Sequence, residues 1–476
     1  MGKPDKRRWA QVVMLSCYAL PAIPLAAVAL PLYVVVPTFY AQNVGLPIAA
    51  VGTALLLIRL LDAASDPIIG WLCDRLFIGS GRRRTFFLLS LPLTALAAFM
   101  VFWPSSGAGV GYLGFWGALL SVGYTATLLP YTAWGAELST DYRGRSVVSA
   151  FREGATLIGT LIAVVLPFAV GLDRIDGFHG LAAVAVLTAV LLPAAGVLAV
   201  KTVPEPANRS TTRLSLADSL RFVARNRPFA RLVVAFLLNG FGNAIPATLF
   251  LYFVSERLDA AELRGPLLFL YFLFGILGVP LAVWLSSKAG KHRTWCWAML
   301  IACAVFVFAG FLGAGDIVAF TIICAATGLL LGFDLALPPA IQADVIDYDT
   351  ANSGEQRSGL YFAAWGLATK LSLALSVGLV FPVLAWSGFD TSGGQRMPEM
   401  ALVTLSALYA WLPILPKAAA IAVMWNFPLG EDAQRSLRAQ IDATAGRGKA
   451  VDKESAPPAA VARRRRQAQI ERKPDA

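Results

Sequence analysis

The chain has 476 residues, of which 57% are hydrophobic and only 14% charged, with 40 Lys and Arg against 29 Asp and Glu for a formal net charge of +11. Soluble globular domains carry about 25% charge, so the composition excludes a soluble protein and defines a chain that crosses a membrane many times. Five cysteines (Cys17, Cys73, Cys296, Cys303, Cys324) sit in or beside apolar stretches without metal-ligand or disulfide spacing, and the two histidines, His179 and His292, fall in short loops. No His-based catalytic pair, metal cluster or GxxxxGK phosphate loop is present, so neither an enzyme, a resident cofactor nor an ATP-driven pump is expected.

Apolar runs of about 20 residues span the roughly 30 Å hydrocarbon core as helices. Twelve such segments are predicted, at 9–37, 47–74, 85–103, 108–138, 148–171, 178–200, 229–254, 263–287, 294–313, 317–344, 358–386 and 399–427. The first follows the basic start "MGKPDKRRW" and is far longer than a signal-peptide core, so it is expected to remain as a span. The second ends in "RLLDAASDPIIGWLCDR", which puts Arg59, Asp62 and Asp66 at i, i+3 and i+7 on one helical face. The fourth carries Tyr124, Thr125, Trp134 and Glu137, and the fifth Arg152 and Glu153. Residues 201–228 form the longest basic connection, where "SLADSLRFVARN" has a Ser N-cap and apolar residues at helical spacing, as an amphipathic surface helix does. The seventh segment places Asn239 and Asn243 one turn apart. The tenth holds Asp334 and, near its end, Asp344; the eleventh holds Trp365 and Lys370. Lys417 on the twelfth is expected to snorkel to an interface. Residues 431–476 are polar and basic and are expected to be a disordered tail near anionic lipid.

The loops alternate in charge. Lys3–Arg8, Arg75 with Arg82, Arg83 and Arg84, Arg143 and Arg145, Lys201–Arg227, Lys288–Arg293, Arg357 and the tail are basic, whereas the intervening loops hold only Arg174, Arg257, Arg264 and Arg396 as basic residues. The positive-inside rule then puts both termini in the cytoplasm of a cell with a multi-pass plasma-membrane protein, in agreement with an even span count. The basic residues answer to topology, and no nucleic-acid partner is expected. The chain also repeats: Pro67, Trp71 and Leu72 correspond to Pro280, Trp284 and Leu285, "GRRRT" (81–85) to "GKHRT" (290–294), and "RSVVSAFREG" (145–154) to "RSGLYFAAWG" (357–366). Two parallel six-span halves follow, 1–200 and 229–430, joined by 201–228 and followed by the tail; that is the layout of the major facilitator superfamily, an all-α fold.

An ionisable group at bilayer depth costs several kcal/mol unless paired or hydrated. Two carboxylates four residues apart cannot both be charged cheaply, so Asp62 and Asp66 share a proton or hold a cation; a static salt bridge is the alternative. Asp334 is read as a solute acceptor or as the partner of a lysine, Asn239 and Asn243 as solute contacts or helix–helix hydrogen bonds, and Trp134 and Trp365 as stacking platforms or packing residues. Arg59, Arg82, Arg83, Arg84, Glu137 and Asp344 are read as a gating and charge network.

The stretches "RLLDAASDPIIG", "GRRR", "YTATLLPYTAWGAELSTDYRGRS" and "ADVIDYD…RSGLYFAAWGLATK" resemble the glycoside–pentoside–hexuronide:cation symporter family of the major facilitator superfamily, over nearly the whole chain up to about residue 430. By that resemblance Asp62 and Asp66 match the family's cation-binding pair, with Ser65 beside them and Tyr124-Thr125 contributing from the fourth span. Lys370 matches an essential intramembrane lysine, and Arg152 an arginine that lines the substrate cavity. The resemblance implies symport of an organic solute, a sugar or glycoside, with Na⁺ or H⁺ as coupling ion and no other metal, by a monomer in the lipid bilayer. The family's sugar-binding permeases carry acids on the first and fourth spans, but here the first span is uncharged and the fourth has Leu128. The alternative is therefore a carrier of an amphipathic or lipid-like solute, as the lysophospholipid transporters of this branch are.

Overall fold

A computed structural model describes residues 6–34, 36, 39–40, 44–76, 81–105, 107–169, 178–206, 215–389 and 397–454. They fold into helices: α1 (Lys6–Ala19), α2 (Ala22–Val34), α3 (Ile48–Arg75), α4 (Arg83–Phe102), α5 (Val110–Leu138), α6 (Tyr142–Ala169), α7 (Phe178–Thr202), α8 (Leu216–Arg225), α9 (Arg227–Tyr252), α10 (Arg264–Ala289), α11 (Lys291–Ala309), α12 (Ile317–Ser353), α13 (Ser358–Trp386), α14 (Glu399–Ser406), α15 (Ile414–Met424) and α16 (Glu431–Glu454). No sheet occurs among the described residues. The first span is α1 and α2, broken at Leu20-Pro21, and the twelfth is α14 and α15 joined by a wide π turn, Ala407–Trp411.

Ten of the twelve expected spans are long and apolar enough to cross a membrane on those grounds alone. The other two, α3 and α6, are each 28 residues long, enough to span, and carry Arg59, Asp62 and Asp66, and Arg152 and Glu153, within their apolar sequence. The molecule is an all-α membrane protein with twelve transmembrane helices. At the surface helix α8, Ser215 Oγ accepts from Asp218 N at 3.1 Å, and Asn226 then caps α9 by accepting from Phe229 N at 3.0 Å. The tail differs from expectation. It begins with the helix α16, which buries Gln434 and Ile441 and pairs Arg438 with Asp347 at 2.7 Å. Those residues recur at helical spacing, so one face of the segment finds a partner. Residues 455–476 lie outside the described residues.

Between the halves, α3 packs on α13, and α6 on α10 and α12. At the end that carries the termini, one buried cluster joins Ile69, Leu129 and Ala133 to Leu337, Tyr361 and Phe362 of the other half. At the opposite end each half has its own cluster, around Phe39 and Phe102 in one and Phe253 and Phe320 in the other. The halves are thus fused at the terminal-bearing end and separate at the far end, and a cavity lies between them.

Candidate functional site

The cavity has a volume of about 610 Å³ and is walled by α2, α3 and α5 from one half and α9 and α13 from the other. At its floor, Lys370 of α13 reaches across. Its Nζ lies 2.5 Å from Asp62 Oδ2 and 2.6 Å from Asp66 Oδ2 of α3. Thr125 Oγ1 donates to the same pair, at 3.2 Å from Asp62 Oδ1 and 3.0 Å from Asp66 Oδ1. The carboxylate side chains are 7% and 4% exposed and the lysine side chain 27%, and all three line the cavity. Pro67, directly after Asp66, withdraws the backbone donor that would face the Ala63 carbonyl, so α3 is locally weakened at the carboxylate pair. Arg59, Tyr124, Trp365 and Asn243 also line the cavity; Trp365 is stacked on Phe236 with ring centroids 3.6 Å apart.

Asn243 leads to a second polar cluster behind the wall. Its Nδ2 donates to Asp334 Oδ2 at 2.9 Å, Trp295 Nε1 donates to Asp334 Oδ1 at 2.7 Å, and Lys417 Nζ lies 3.5 Å from Asp334 and 2.7 Å from Asn239 Oδ1. Lys417 does not snorkel as expected. Its counter-charge is inside the half, so pairing there replaces the trip to water. Asp334 and Asn239 meet that lysine and do not wall the cavity.

Below the cavity floor the halves meet directly. Gly70 of α3 and Gly359 of α13 cross so closely that a Cβ on Gly359 would lie 2.4 Å from the Gly70 carbonyl oxygen. Asp74 accepts from Gly359 N at 2.8 Å and Leu360 N at 3.0 Å, so a carboxylate of one half caps a helix of the other. Arg83 pairs with Asp74 and Glu137, both at 2.7 Å; Arg82 pairs with Glu137 at 3.0 Å and donates to the Gln356 carbonyl at 3.3 Å; Ser358 donates to Glu137 at 2.7 Å. The repeat generates a counterpart: Asp344 takes Lys291 at 2.6 Å from its own half and Arg145 at 2.9 Å from the other, and Arg145 reaches Asp347 at 2.5 Å.

Several sequence-based expectations are corrected. Trp134 is fully buried among Tyr18 and Phe87 with its Nε1 donating to the Pro204 carbonyl at 3.0 Å, so it packs one half and does not meet the cavity. Arg152 is bound to its neighbour Glu153 inside the first half and does not line the cavity either. The Ser65 hydroxyl donates to the Asp62 backbone carbonyl at 3.1 Å, a bond within its own helix. Arg84 turns from the charge network to the Val200 carbonyl, and its backbone N–H meets Glu205 at 3.0 Å. The residues overlooked are Asp74, Arg145, Lys291, Asp347 and Ser358. Arg145, Lys291 and Ser358 lie in the repeated motifs, where the correspondence of Arg82 with Lys291 was the signal available; Asp74 and Asp347 lie outside them.

Twelve spans in two halves, a cavity between them and ionisable groups at its floor define a secondary membrane carrier of the major facilitator fold. A family model described as MFS/sugar transport protein matches residues 17–431. The chain belongs to that family, whose members are transporters and not enzymes. It is 25% identical over 431 residues to a putative glycoside/cation symporter, YagG, of Escherichia coli strain K12, covering 87% of this chain and 91% of that one. It is 23% identical over 420 residues to the sodium-dependent lysophosphatidylcholine symporter 1-B of Danio rerio, covering 80% of each chain. Among solved structures it is similar to the fucose:proton symporter FucP of E. coli, with a TM-score of 0.63 at 15% identity over 88% of this chain and 98% of that one.

Proposed function

We propose that this protein carries a sugar or glycoside across the cell membrane in symport with Na⁺ or H⁺, and that the ion binds between Asp62 and Asp66. The observation that carries the reading is the Lys370 ammonium held against both carboxylates at the cavity floor. The lysine supplies the positive charge the pair needs when no ion is there. An arriving cation takes that position, frees the lysine and lets the cavity wall formed by α13 move with the solute. With both termini cytoplasmic, the closed end faces the cytoplasm and the cavity faces outward. The test is counterflow and gradient-driven uptake in proteoliposomes with a panel of labelled glycosides, with and without Na⁺ and with and without a pH gradient. At least one glycoside should accumulate against its gradient, and Asp66→Asn should abolish accumulation while downhill exchange survives. Accumulation by both Asp62→Asn and Asp66→Asn at the parent's level would remove the ion site.

A second reading has its own support. Ala29, Leu32, Leu55, Leu113, Leu128 and Ala247 give the cavity a long apolar wall where a sugar carrier needs acceptors for hydroxyls. If the panel exchanges no glycoside and a lysophospholipid is exchanged, the solute is amphipathic and the same ion site serves it.

A further inference from the structure

A second hollow, of about 820 Å³, lies outside the central cavity where α6 of the first half meets α10 of the second, with α1 along one side. Its floor on α6 is a row of small residues one turn apart, Ser146, Ala150 and Gly154, leading to Ile158. On the α10 side Leu277 and Trp284 are about half exposed, 54% and 53%, so the hollow opens at the outer face of the bundle. In a multi-pass membrane protein that face meets lipid chains. The hollow has a charged end. Arg143, in the first turn of α6, has a side chain that is 62% exposed, and its ion pair with Glu431 is a loose 3.7 Å. Lys288, in the last turn of α10, holds its Nζ 4.0 Å over the Trp284 ring. Both cations stand at the terminal-bearing end, where the helices leave the bilayer. From Arg143 to Ile158 the groove runs roughly 22 Å at 1.5 Å per residue, enough for a chain that crosses half of a roughly 30 Å hydrocarbon core.

We propose that this groove is a binding site for one anionic phospholipid, its headgroup phosphate against Arg143 and Lys288 and one acyl chain laid along Ser146, Ala150 and Gly154. A guanidinium takes phosphate oxygens through two parallel N–H donors, and an ammonium beside it adds a point charge. The chain fits because the small residues leave room: a Cβ built on Gly154 meets nothing within 4 Å. Because the walls come from both halves, the bound lipid favours the arrangement in which this end is closed.

Trp284 supplies the probe. The protein is placed in phosphatidylcholine vesicles that contain brominated phosphatidylglycerol, and in phosphatidylglycerol vesicles that contain brominated phosphatidylcholine. The Trp284 signal is the difference between the parent and Trp284→Phe. Quenching should report a preference for phosphatidylglycerol of about five-fold or more, the factor one basic residue near a membrane surface contributes, and the preference should shrink in high salt. Arg143→Gln with Lys288→Gln should bring it close to one. Gly154→Leu, whose Cβ meets nothing within 4 Å and whose side chain takes up groove space, should reduce quenching by brominated phosphatidylglycerol chains. Equal affinity of the parent for both lipids, or unchanged quenching in Gly154→Leu, would overturn the site. Neither readout involves transport, so its failure is separable from failure of the symport reading.

Discussion

At the residue scale, the cluster of Asp62, Asp66, Thr125 and Lys370 joins two buried carboxylates to one cation and one hydroxyl. Removing the lysine leaves two adjacent carboxylates without their counter-charge, and removing one carboxylate leaves the lysine with the other. The single changes are therefore both damaging, and the second change repairs part of what the first did. We expect Lys370→Ala and Asp62→Ala each to lower the thermal stability of the purified protein and to abolish coupled uptake. In the double variant the loss of stability should be smaller than the sum by about 1–3 kcal/mol. Additive losses would mean that the two side chains do not share an interaction in the folded protein. Such charges were conspicuous in the sequence because they interrupt long apolar segments. Their partners were legible only in kind, as in the reading of Asp334 as a solute acceptor or the partner of a lysine. Lys370, Arg152, Asp334 and Lys417 are equally visible as intramembrane ions, yet one faces the cavity, one turns to Glu153 and two meet each other. Helical periodicity gives the face a residue shares with its neighbours in sequence, but the identity of the element packed on that face is decided by the tertiary arrangement.

At the element scale, the crossing of α3 and α13 is built for contact at one end and separation at the other. Gly70 and Gly359 let the backbones touch, Asp74 caps α13, and the Arg83 pairs hold the cap in place. Cys73 lies inside this joint, fully buried, with its Sγ accepting from Arg83 Nη1 at 2.8 Å. It is a built-in reporter. In Gly359→Leu the new side chain would have to occupy the space of the Gly70 carbonyl, so the joint must open. Cys73 should then react with a maleimide at least about ten-fold faster than in the parent, equivalent to a shift of about 1.4 kcal/mol in the opening equilibrium. Unchanged protection of Cys73 would show that the crossing does not hold this end shut. The twelve spans were legible from apolar run length and the halves from the repeat. The crossing was not, since both glycines read as ordinary small residues within spans. Helix α16 was missed for another reason: Gln434, Arg438 and Ile441 do recur at helical spacing, but the polar composition around them masked a face that is completed by Asp347 of α12.

At the scale of the whole molecule, the repeat places two similar networks beside each other at one end, Arg82 and Arg83 with Glu137, and Lys291 with Asp344, each receiving a residue from the opposite half, Ser358 in the first case and Arg145 in the second. Fused there and separate at the far end, the halves form a cavity with a single closed end. The side of the membrane that this end faces follows from the loops. Arg82–Arg84, Arg143, Lys288 and Arg293 lie with the central connection at the same end as both termini, while the connections at the other end are nearly free of basic residues. Basic loops are retained in the cytoplasm. A reporter fused after Arg213 or at the C-terminus should therefore read as cytoplasmic, and one inserted at Ser106 as external. With that orientation, the carboxylate pair Asp62 and Asp66 is reached from outside through the cavity, and a membrane-impermeant thiol reagent should label Leu55→Cys, which lines it, in intact cells. Reporters after Arg213 and at Ser106 on the same side would break the twelve-span count. Opposite sides with the signs exchanged would turn the cavity to the cytoplasm and make the closed end the external one.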